Sequence, residues 1–364
     1  MTARVPFLQL RPGEDAPAVQ AAMARVVDRG WFVLGPEVEA FETEFAAACG
    51  TSLAVGVGTG TDALALIIRA LGIGPGDEVI TSPLSAAYTG LAIMMAGARP
   101  VFADLDPARL TLDPAAAAAA VTSRTKAVLP VHLYGQAADG LAFATLAERH
   151  GLALIEDCCQ AHLATCEGRP VGTLGIAGAF SFYPTKNLGA LGDGGAVITR
   201  DAALAARIKR LRNGGQTDRY HHVEPGVNTR LDEIQAAVLR ARLAYLPAWT
   251  ERRRRLAARY RDALAGAPVE LLQVADPGHV FHLFVVRSGR RDALQAHLKA
   301  RGIETLIHYP IPLPRQPAFA SAQPQACPIA DEACDEILSL PFYPDLADDL
   351  AGEVADAVRS FAGT

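Results

Sequence analysis

The sequence has few charged and few aromatic residues. Of its 364 residues, 20% are charged and 6% are aromatic, whereas 50% are hydrophobic. Lysine and arginine number 34 and aspartate and glutamate 39, which gives a formal net charge of -5. This balance excludes a basic surface for nucleic acid or anionic lipid. The high apolar content excludes disorder for most of the chain, and the length allows about two domains.

Cysteine is also scarce. Six cysteines in 364 residues are too few for a disulfide scaffold, so we expect reduced thiols. Four potential zinc ligands, Cys158, Cys159, His162 and Cys166, fall close together. Adjacent ligands seldom fit one tetrahedral site, however, and separated Cys-x2-Cys pairs are missing. We therefore predict that no metal is bound.

One uncharged run, residues 79–98, has the length of a membrane span but not its composition. It contains Pro83, two glycines and five hydroxyl side chains, which disfavour insertion into a bilayer. We interpret the run as a strand, a turn and a buried helix. The first ten residues lack the apolar segment of a signal peptide, and we expect a cytoplasmic protein.

Helical and strand patterns alternate from about residue 36 onward. Short apolar runs without polar alternation predict buried strands, and segments with helical spacing separate them. The predicted strands are 53–57, 79–81, 100–103, 127–131 and 153–155, and the predicted helices are 62–71, 85–96, 114–121 and 140–150. This order indicates an α/β fold with a mostly parallel sheet that helices cover on both faces.

The C-terminal part has a different pattern. A long helical stretch begins at Leu231 with an interruption at Pro247, a strand is predicted at 280–286, and a helix at 291–301. We therefore expect a large domain at 1–245 and a smaller α+β domain at 246–364. The N-terminal segment of the chain is expected to pack on the smaller domain.

Three segments carry residues that are suited to chemistry. The glycine-rich loop at 56–62 opens a helix and offers backbone amides to a phosphate; a plain turn is the alternative. Asp157 follows a buried strand, where open α/β sheets build their sites, whereas Glu156 should face the other side. Lys186 follows 16 uncharged residues, and burial would favour the neutral amine that Schiff-base chemistry requires. A structural lysine at a turn is the alternative, and Ser181 could share the phosphate of the loop.

Six motifs occur in order along the chain. They are Gly-Thr-Gly-Thr-Asp-Ala-Leu at 58–64, Leu-Gly-Ile-Gly-Pro-Gly-Asp-Glu-Val-Ile at 71–80, His-Leu-Tyr-Gly-Gln at 132–136, Glu-Asp-Cys-Cys-Gln-Ala-His at 156–162, Ser-Phe-Tyr-Pro-Thr-Lys-Asn-Leu-Gly-Ala-Leu-Gly-Asp-Gly-Gly at 181–195, and Asn-Thr-Arg-Leu-Asp-Glu-Ile-Gln-Ala-Ala at 228–237. Together they resemble the DegT/DnrJ/StrS family of nucleotide-sugar aminotransferases. These enzymes depend on pyridoxal 5'-phosphate (PLP) and have the fold of aspartate aminotransferase, fold type I.

The resemblance implies roles for individual residues. Lys186 would form the Schiff base with PLP and move the proton, and Asp157 would bind the pyridine nitrogen. Asn228 would reach the phosphate from the partner subunit of a homodimer. The implied cofactor-binding residues are Gly60, Thr61, Tyr88, Asp157, Gln160, Ser181, Lys186 and Asn228. The implied substrate-binding residues are His162, Tyr183, His308 and Tyr309.

Three residues depart from the family pattern. Ala86 stands where relatives usually carry an aromatic residue that stacks on the cofactor; Tyr88 is the candidate to replace it, and a different cover of the cofactor face is the alternative. Leu163 stands in place of a glycine, and Pro314 in place of a histidine. The last two changes fall where the amino acceptor is expected to bind.

The resulting hypothesis is an aminotransferase that moves an amino group from L-glutamate or L-glutamine to a nucleotide-linked keto sugar. PLP would cycle through pyridoxamine 5'-phosphate. Lys186 argues against the dehydratases of the family, in which histidine replaces this lysine. The alternatives are a keto-cyclitol aminotransferase and a regulatory protein that binds a sugar nucleotide without turning it over.

Overall fold

The computed structural model describes residues 4–361. Its strands are β1 (Leu53–Val57), β2 (Glu78–Thr81), β3 (Arg99–Phe102), β4 (Thr125–Leu129), β5 (Ala153–Asp157), β6 (Thr165–Cys166), β7 (Arg169–Pro170), β8 (Ala177–Ser181), β9 (Gly195–Thr199), β10 (Gln216–Asp218), β11 (His221–His222), β12 (Glu270–Leu271), β13 (Phe284–Arg287) and β14 (Ile337–Leu340).

Its α-helices are α1 (Ala16–Arg29), α2 (Pro36–Ala48), α3 (Gly60–Ala70), α4 (Tyr88–Met95), α5 (Pro114–Ala119), α6 (Gly140–His150), α7 (Ala202–Leu211), α8 (Glu233–Leu243), α9 (Leu246–Ala263), α10 (Arg291–Ala300), α11 (Pro328–Glu336) and α12 (Asp348–Arg359). Short 3₁₀ helices occur at Leu133–Gly135, Leu313–Arg315 and Pro317–Ala322.

A seven-stranded sheet forms the centre of the molecule, in the order β1-β9-β8-β5-β4-β2-β3. Strand β9 is antiparallel to both of its neighbours, and the other adjacent pairs are parallel. The predicted α/β fold with a mostly parallel sheet is therefore confirmed. Strands β2 and β9 are buried along their whole length, which explains why the sequence shows apolar runs rather than alternation.

The five predicted strands of this sheet are present, with β4 displaced toward the N-terminus by two residues. Two further strands, β8 and β9, were not predicted. Strand β8, Ala-Gly-Ala-Phe-Ser, is rich in glycine and alanine, which have low strand propensity, and burial between neighbouring strands outweighs this local preference. Strand β9, Gly-Ala-Val-Ile-Thr, ends in three residues of high strand propensity, a signal that the prediction missed.

The uncharged run at 79–98 forms most of β2, a turn and helix α4. Between residues 4 and 361, no helix is both long enough and apolar enough to cross a membrane. The cytoplasmic location stays a prediction.

Pro247 does not interrupt a helix but lies in the first turn of one. Helix α8 ends at Leu243, and α9 begins at Leu246 with the proline in its first turn. The missing N–H of proline costs no helical hydrogen bond at this position. The break therefore precedes the proline by a few residues.

A second sheet, β12-β13-β14, is antiparallel and packs with α9, α10 and α12. Val5 is buried in the same core, and its N–H donates to the Gly302 carbonyl at 3.0 Å. The N-terminal segment thus packs on the C-terminal part of the chain. The domain boundary at 245/246 stays a prediction.

A buried ion pair supports the strand that leads into the glycine-rich loop. Glu42 of α2 accepts hydrogen bonds from the Arg212 guanidinium at 2.5 Å and from the Gly56 N–H at 2.9 Å. Lys209 Nζ lies 3.1 Å from the same carboxylate. The side chains of Glu42 and Arg212 are each 8% exposed. Loss of the arginine would leave a buried carboxylate with incomplete compensation.

We expect Arg212→Met to lower the free energy of unfolding by about 3 kcal/mol. Urea unfolding of the apoprotein at fixed concentration measures this change. Arg207→Met is the control, because Arg207 is partly exposed where it binds Glu224, and its loss should cost less than about 1 kcal/mol. Equal losses for the two variants would show that burial of the Arg212 pair has no special role.

Candidate active site

The predicted site residues converge at the carboxyl ends of two parallel strands. Asp157 ends β5, Ser181 ends β8, and Gly60 begins α3. A Cβ atom on residue 60 would lie 2.7 Å from Ser181 Cβ and 2.8 Å from the Cys159 sulfur. Only glycine therefore lets the N-terminus of α3 approach β8 this closely.

The N-terminus of α3 offers free amide groups. Thr59 caps the helix, because its hydroxyl oxygen accepts a hydrogen bond from the Asp62 N–H at 3.0 Å. Among residues 4–361, no acceptor is bonded to the N–H groups of Gly60 and Thr61. Free amides at a helix N-terminus bind phosphate, aided by the helix dipole. Together with the adjacent Ser181 hydroxyl they fit the phosphate of PLP.

The two neighbouring carboxylates of β5 face opposite sides of the sheet, as strand geometry requires. Asp157, which is 3% exposed, accepts hydrogen bonds from the Thr89 hydroxyl at 2.8 Å and from the Cys159 N–H at 3.1 Å. It thus presents a buried acceptor that fits a protonated ring nitrogen.

Glu156 has a structural role instead. Its two oxygens accept hydrogen bonds from three backbone N–H groups of the loop at 172–175, at 2.7 to 2.9 Å. His132 Nε2 lies 3.0 Å from the same carboxylate, and its Nδ1 accepts from the Ala138 N–H. His132, Glu156 and Cys158 are close enough to hold a metal. Because protein donors already engage the His132 and Glu156 groups, we assign this cluster no metal.

Lys186 lies in the loop that follows β8, and its side chain is half-buried. Burial lowers the pKa of its ammonium group, and the nearby Asp157 carboxylate acts in the opposite direction. Within the described part of the chain, Nζ has neither a hydrogen bond nor an ion pair. An amine with a lowered pKa and no protein partner fits a reaction with the aldehyde of PLP.

A hydrogen-bond network links this centre to the C-terminal part of the chain. Gln160 accepts a hydrogen bond from the Tyr134 N–H at 2.8 Å and donates to the Tyr309 hydroxyl at 3.1 Å. The Tyr134 hydroxyl donates to the backbone carbonyl of His308, and His308 Nδ1 lies 2.9 Å from the Ser339 hydroxyl. The peptide bond between His308 and Tyr309 is cis.

The remaining predicted site residues divide into buried and exposed groups. His162 is wholly buried, and its Nε2 bonds to the Ser181 carbonyl at 2.9 Å. Its ring packs against the rings of Phe180 and Phe182, so its contacts here are with protein groups.

Tyr88, Tyr183 and Asn228 are exposed on the single chain. Tyr88 lies close enough to Tyr309 to raise its pKa, although burial is the main cause of that rise. Ala86 is half-buried just before α4. The roles of these residues toward cofactor and substrate stay predictions.

Three residues that contact the site were not predicted individually. Thr89 belongs to the hydroxyl groups of the uncharged run, and Tyr134 to the motif at 132–136, so both had an indirect signal in the sequence. His282 had none: it bonds to Asn187, next to Lys186, through its Nδ1 at 3.2 Å. Their partners are distant along the chain, which local patterns do not report.

Burial fixes the protonation state of His162. It lowers the pKa of this histidine to about 3, with a smaller contribution from Lys186. The unfolded chain binds a proton at this residue below about pH 6.5, whereas the folded chain does not. The stabilisation is therefore complete above this pH and is lost as the pH falls toward 3.

We expect His162→Asn to reduce the pH dependence of stability. The loss in unfolding free energy of the apoprotein between pH 7 and pH 4.5 should shrink by about 2 kcal/mol. Urea titrations at the two pH values measure it. His150→Asn, at an exposed histidine in the last turn of α6, should leave the difference unchanged. If the His162→Asn variant lost as much unfolding free energy between pH 7 and pH 4.5 as the wild type, the lowered pKa assigned to His162 would be contradicted.

Comparisons with known proteins show what the chain is similar to. A family model described as the DegT/DnrJ/EryC1/StrS aminotransferase family matches residues 14–359. The dTDP-3-amino-3,4,6-trideoxy-alpha-D-glucose transaminase of Streptomyces venezuelae is 51% identical over 99% of this chain and 97% of its own length.

A second relative and a solved structure are also informative. The erythromycin biosynthesis sensory transduction protein EryC1 of Saccharopolyspora erythraea is 48% identical over 98% of this chain and all of its own length. The crystal structure of S. venezuelae DesV in complex with a ketimine intermediate superimposes with a TM-score of 0.96, at 50% identity and with full coverage of both chains.

Proposed function

The chain belongs to the DegT/DnrJ/EryC1/StrS aminotransferase family and is a PLP-dependent aminotransferase, and we propose that it aminates a nucleotide-linked keto sugar for amino sugar biosynthesis, with L-glutamate or L-glutamine as donor. The position of Lys186 carries the proposal. Its amine, with a pKa lowered by burial, lies near the Asp157 carboxylate.

We assign the residues the following work. Bound PLP supplies a reactive carbonyl and an electron sink. The amides of Gly60 and Thr61, with Ser181, bind the phosphate, and Asp157 holds a proton at the ring nitrogen. Lys186 Nζ would take the proton from the α-carbon of the amino donor and deliver it to the second carbon of the exchange, and it would move a proton in the opposite direction when the keto sugar receives the amine.

Relatives suggest which substrate to test first. The S. venezuelae relative is named as the transaminase of a dTDP-linked 3-amino sugar, so a dTDP-linked 3-keto sugar is the first candidate. A keto-cyclitol is the alternative acceptor. A sensory role is the second candidate function, because the relative EryC1 is named as a sensory transduction protein. Binding alone, however, would not require Asp157, Ser181 and Lys186 together.

We expect the PLP-loaded protein to convert a dTDP-linked 3-keto sugar to the amine, with release of a 2-oxo acid. A panel of dTDP- and UDP-linked keto sugars and keto-cyclitols, each with glutamate or glutamine, is read by mass spectrometry. Lys186→Ala should lower turnover on the order of a thousandfold and should abolish trapping of PLP by borohydride.

The outcomes separate the candidates. If only the keto-cyclitols were converted, a keto-cyclitol would replace the nucleotide-linked keto sugar as the proposed acceptor. Sugar-nucleotide binding without turnover in the presence of PLP would favour the regulatory function.

We also propose that the enzyme is a homodimer with shared sites. Large apolar side chains are exposed on the single chain at Trp31, Phe32, Val33, Leu191, Val223 and Val227. Val33 pairs with Asp232, so these segments reach the motif that begins at Asn228. An exposed apolar surface of this kind marks a protein interface. Asn228 would then contact the phosphate of the partner subunit.

Mixed dimers test the shared site. Lys186→Ala and Asn228→Ala should each be nearly inactive alone. When they are co-expressed, about half of the dimers are mixed and each holds one intact site, which should restore about a quarter of wild-type activity. Differently tagged subunits allow the mixed dimer to be purified. An inactive mixed dimer would place Lys186 and Asn228 in the same subunit's site.

A further inference from the structure

Two buried hydroxyl groups form a chain that ends on Asp157. The Thr89 hydroxyl donates to Asp157 Oδ2 at 2.8 Å, and the Ser85 hydroxyl lies 3.0 Å from the Thr89 hydroxyl. Both residues are buried, with 2% of Thr89 and 4% of Ser85 exposed. Both lie in the uncharged run, and Thr89 is in the first turn of α4.

The direction of the proton donation follows from chemistry. A carboxylate only accepts hydrogen bonds, so the Thr89 hydroxyl must donate its single proton to Asp157. Thr89 can then only accept from Ser85, which makes Ser85 the donor of the second bond. The chain therefore runs from Ser85 through Thr89 to Asp157, and the second bond polarises the first.

The second oxygen of Asp157 has a different partner. Oδ1 accepts from the Cys159 N–H at 3.1 Å, and this donor is fixed in the backbone. Without Thr89, the carboxylate would keep only donors from Cys159, its N–H and its thiol, and would lose its hydroxyl donor. It would then be held from one side only.

We propose that Thr89 and Ser85 are positioning residues that set the orientation and basicity of Asp157 toward the pyridine nitrogen of PLP. The inference rests on the proposed role of Asp157 and extends it to two residues on another element. Thr89 orients the carboxylate directly, and Ser85 acts through Thr89. Neither residue needs to touch the cofactor.

Threonine replacements test the direct bond. Thr89→Val keeps the shape of the side chain but removes the donor, and it should raise the PLP dissociation constant of the apoprotein on the order of tenfold. Thr89→Ser keeps the donor and should restore binding to near the wild-type value. Absorbance titration of the apoprotein with PLP measures the constant. Thr145→Val is the control, since the Thr145 hydroxyl is exposed and donates to the Leu141 carbonyl.

Replacement of Ser85 tests whether the two hydrogen bonds act together as one chain or as two separate contacts. Ser85→Ala should raise the dissociation constant about threefold in the wild-type background. In the Thr89→Val background it should have no further effect, because the bond through which it acts is gone. Thermal unfolding of each apoprotein verifies that the variants are folded. Serine and valine variants of Thr89 that weaken PLP binding equally, or additive effects of the two sites, would overturn the proposal.

Asp157→Asn separates this proposal from the site assignment on which it depends. A large loss of PLP affinity in this variant, with unchanged affinity in Thr89→Val, would overturn the hydroxyl chain alone. Unchanged PLP affinity in Asp157→Asn would overturn the role of Asp157 and with it the chain.

Discussion

The alternation of side chains along β5 is the constraint on which the site depends. Because consecutive residues of a strand face opposite sides, Glu156 and Asp157 cannot serve the same ligand. Glu156 binds the loop at 172–175 that leads into β8, so it helps to position Ser181 at the end of that strand. Asp157 faces the opposite side and meets Thr89. Of these two adjacent residues, Glu156 therefore stabilises the loop on one side of the sheet, and Asp157 belongs to the candidate site on the other.

The reactive centre combines backbone donors with few charges. Gly60 brings the free amides of α3 against β8 at a distance that a side chain would prevent. Burial lowers the pKa of Lys186, while the charge of the Asp157 carboxylate opposes that shift. The position of the lysine therefore balances two effects: desolvation favours the neutral amine, and the neighbouring negative charge keeps the proton available for transfer.

Polar contacts also connect the central sheet to the C-terminal part of the chain. Gln160 forms hydrogen bonds with both Tyr134 and Tyr309. The segment around Tyr309, which we expect to contact the substrate, is thereby linked to the strand that carries Asp157. On α9, the buried Arg253 guanidinium donates to the carbonyls of Phe281, His282 and Phe342 at 3.2 to 3.4 Å. These bonds restrain the segments on either side of the second sheet, because buried carbonyl groups require donors.

The sequence by itself determined the α/β class, five strands of the central sheet and the opposite directions of Glu156 and Asp157, since burial and alternation are local properties. It also indicated Lys186, through the uncharged residues before it. Only the tertiary structure decided that β8 and β9 enter the sheet and that Thr89 meets Asp157, 68 residues away. It likewise joined Tyr134 to His308 across 174 residues. Such partners depend on how distant elements pack, which hydrophobic spacing and local propensity do not encode.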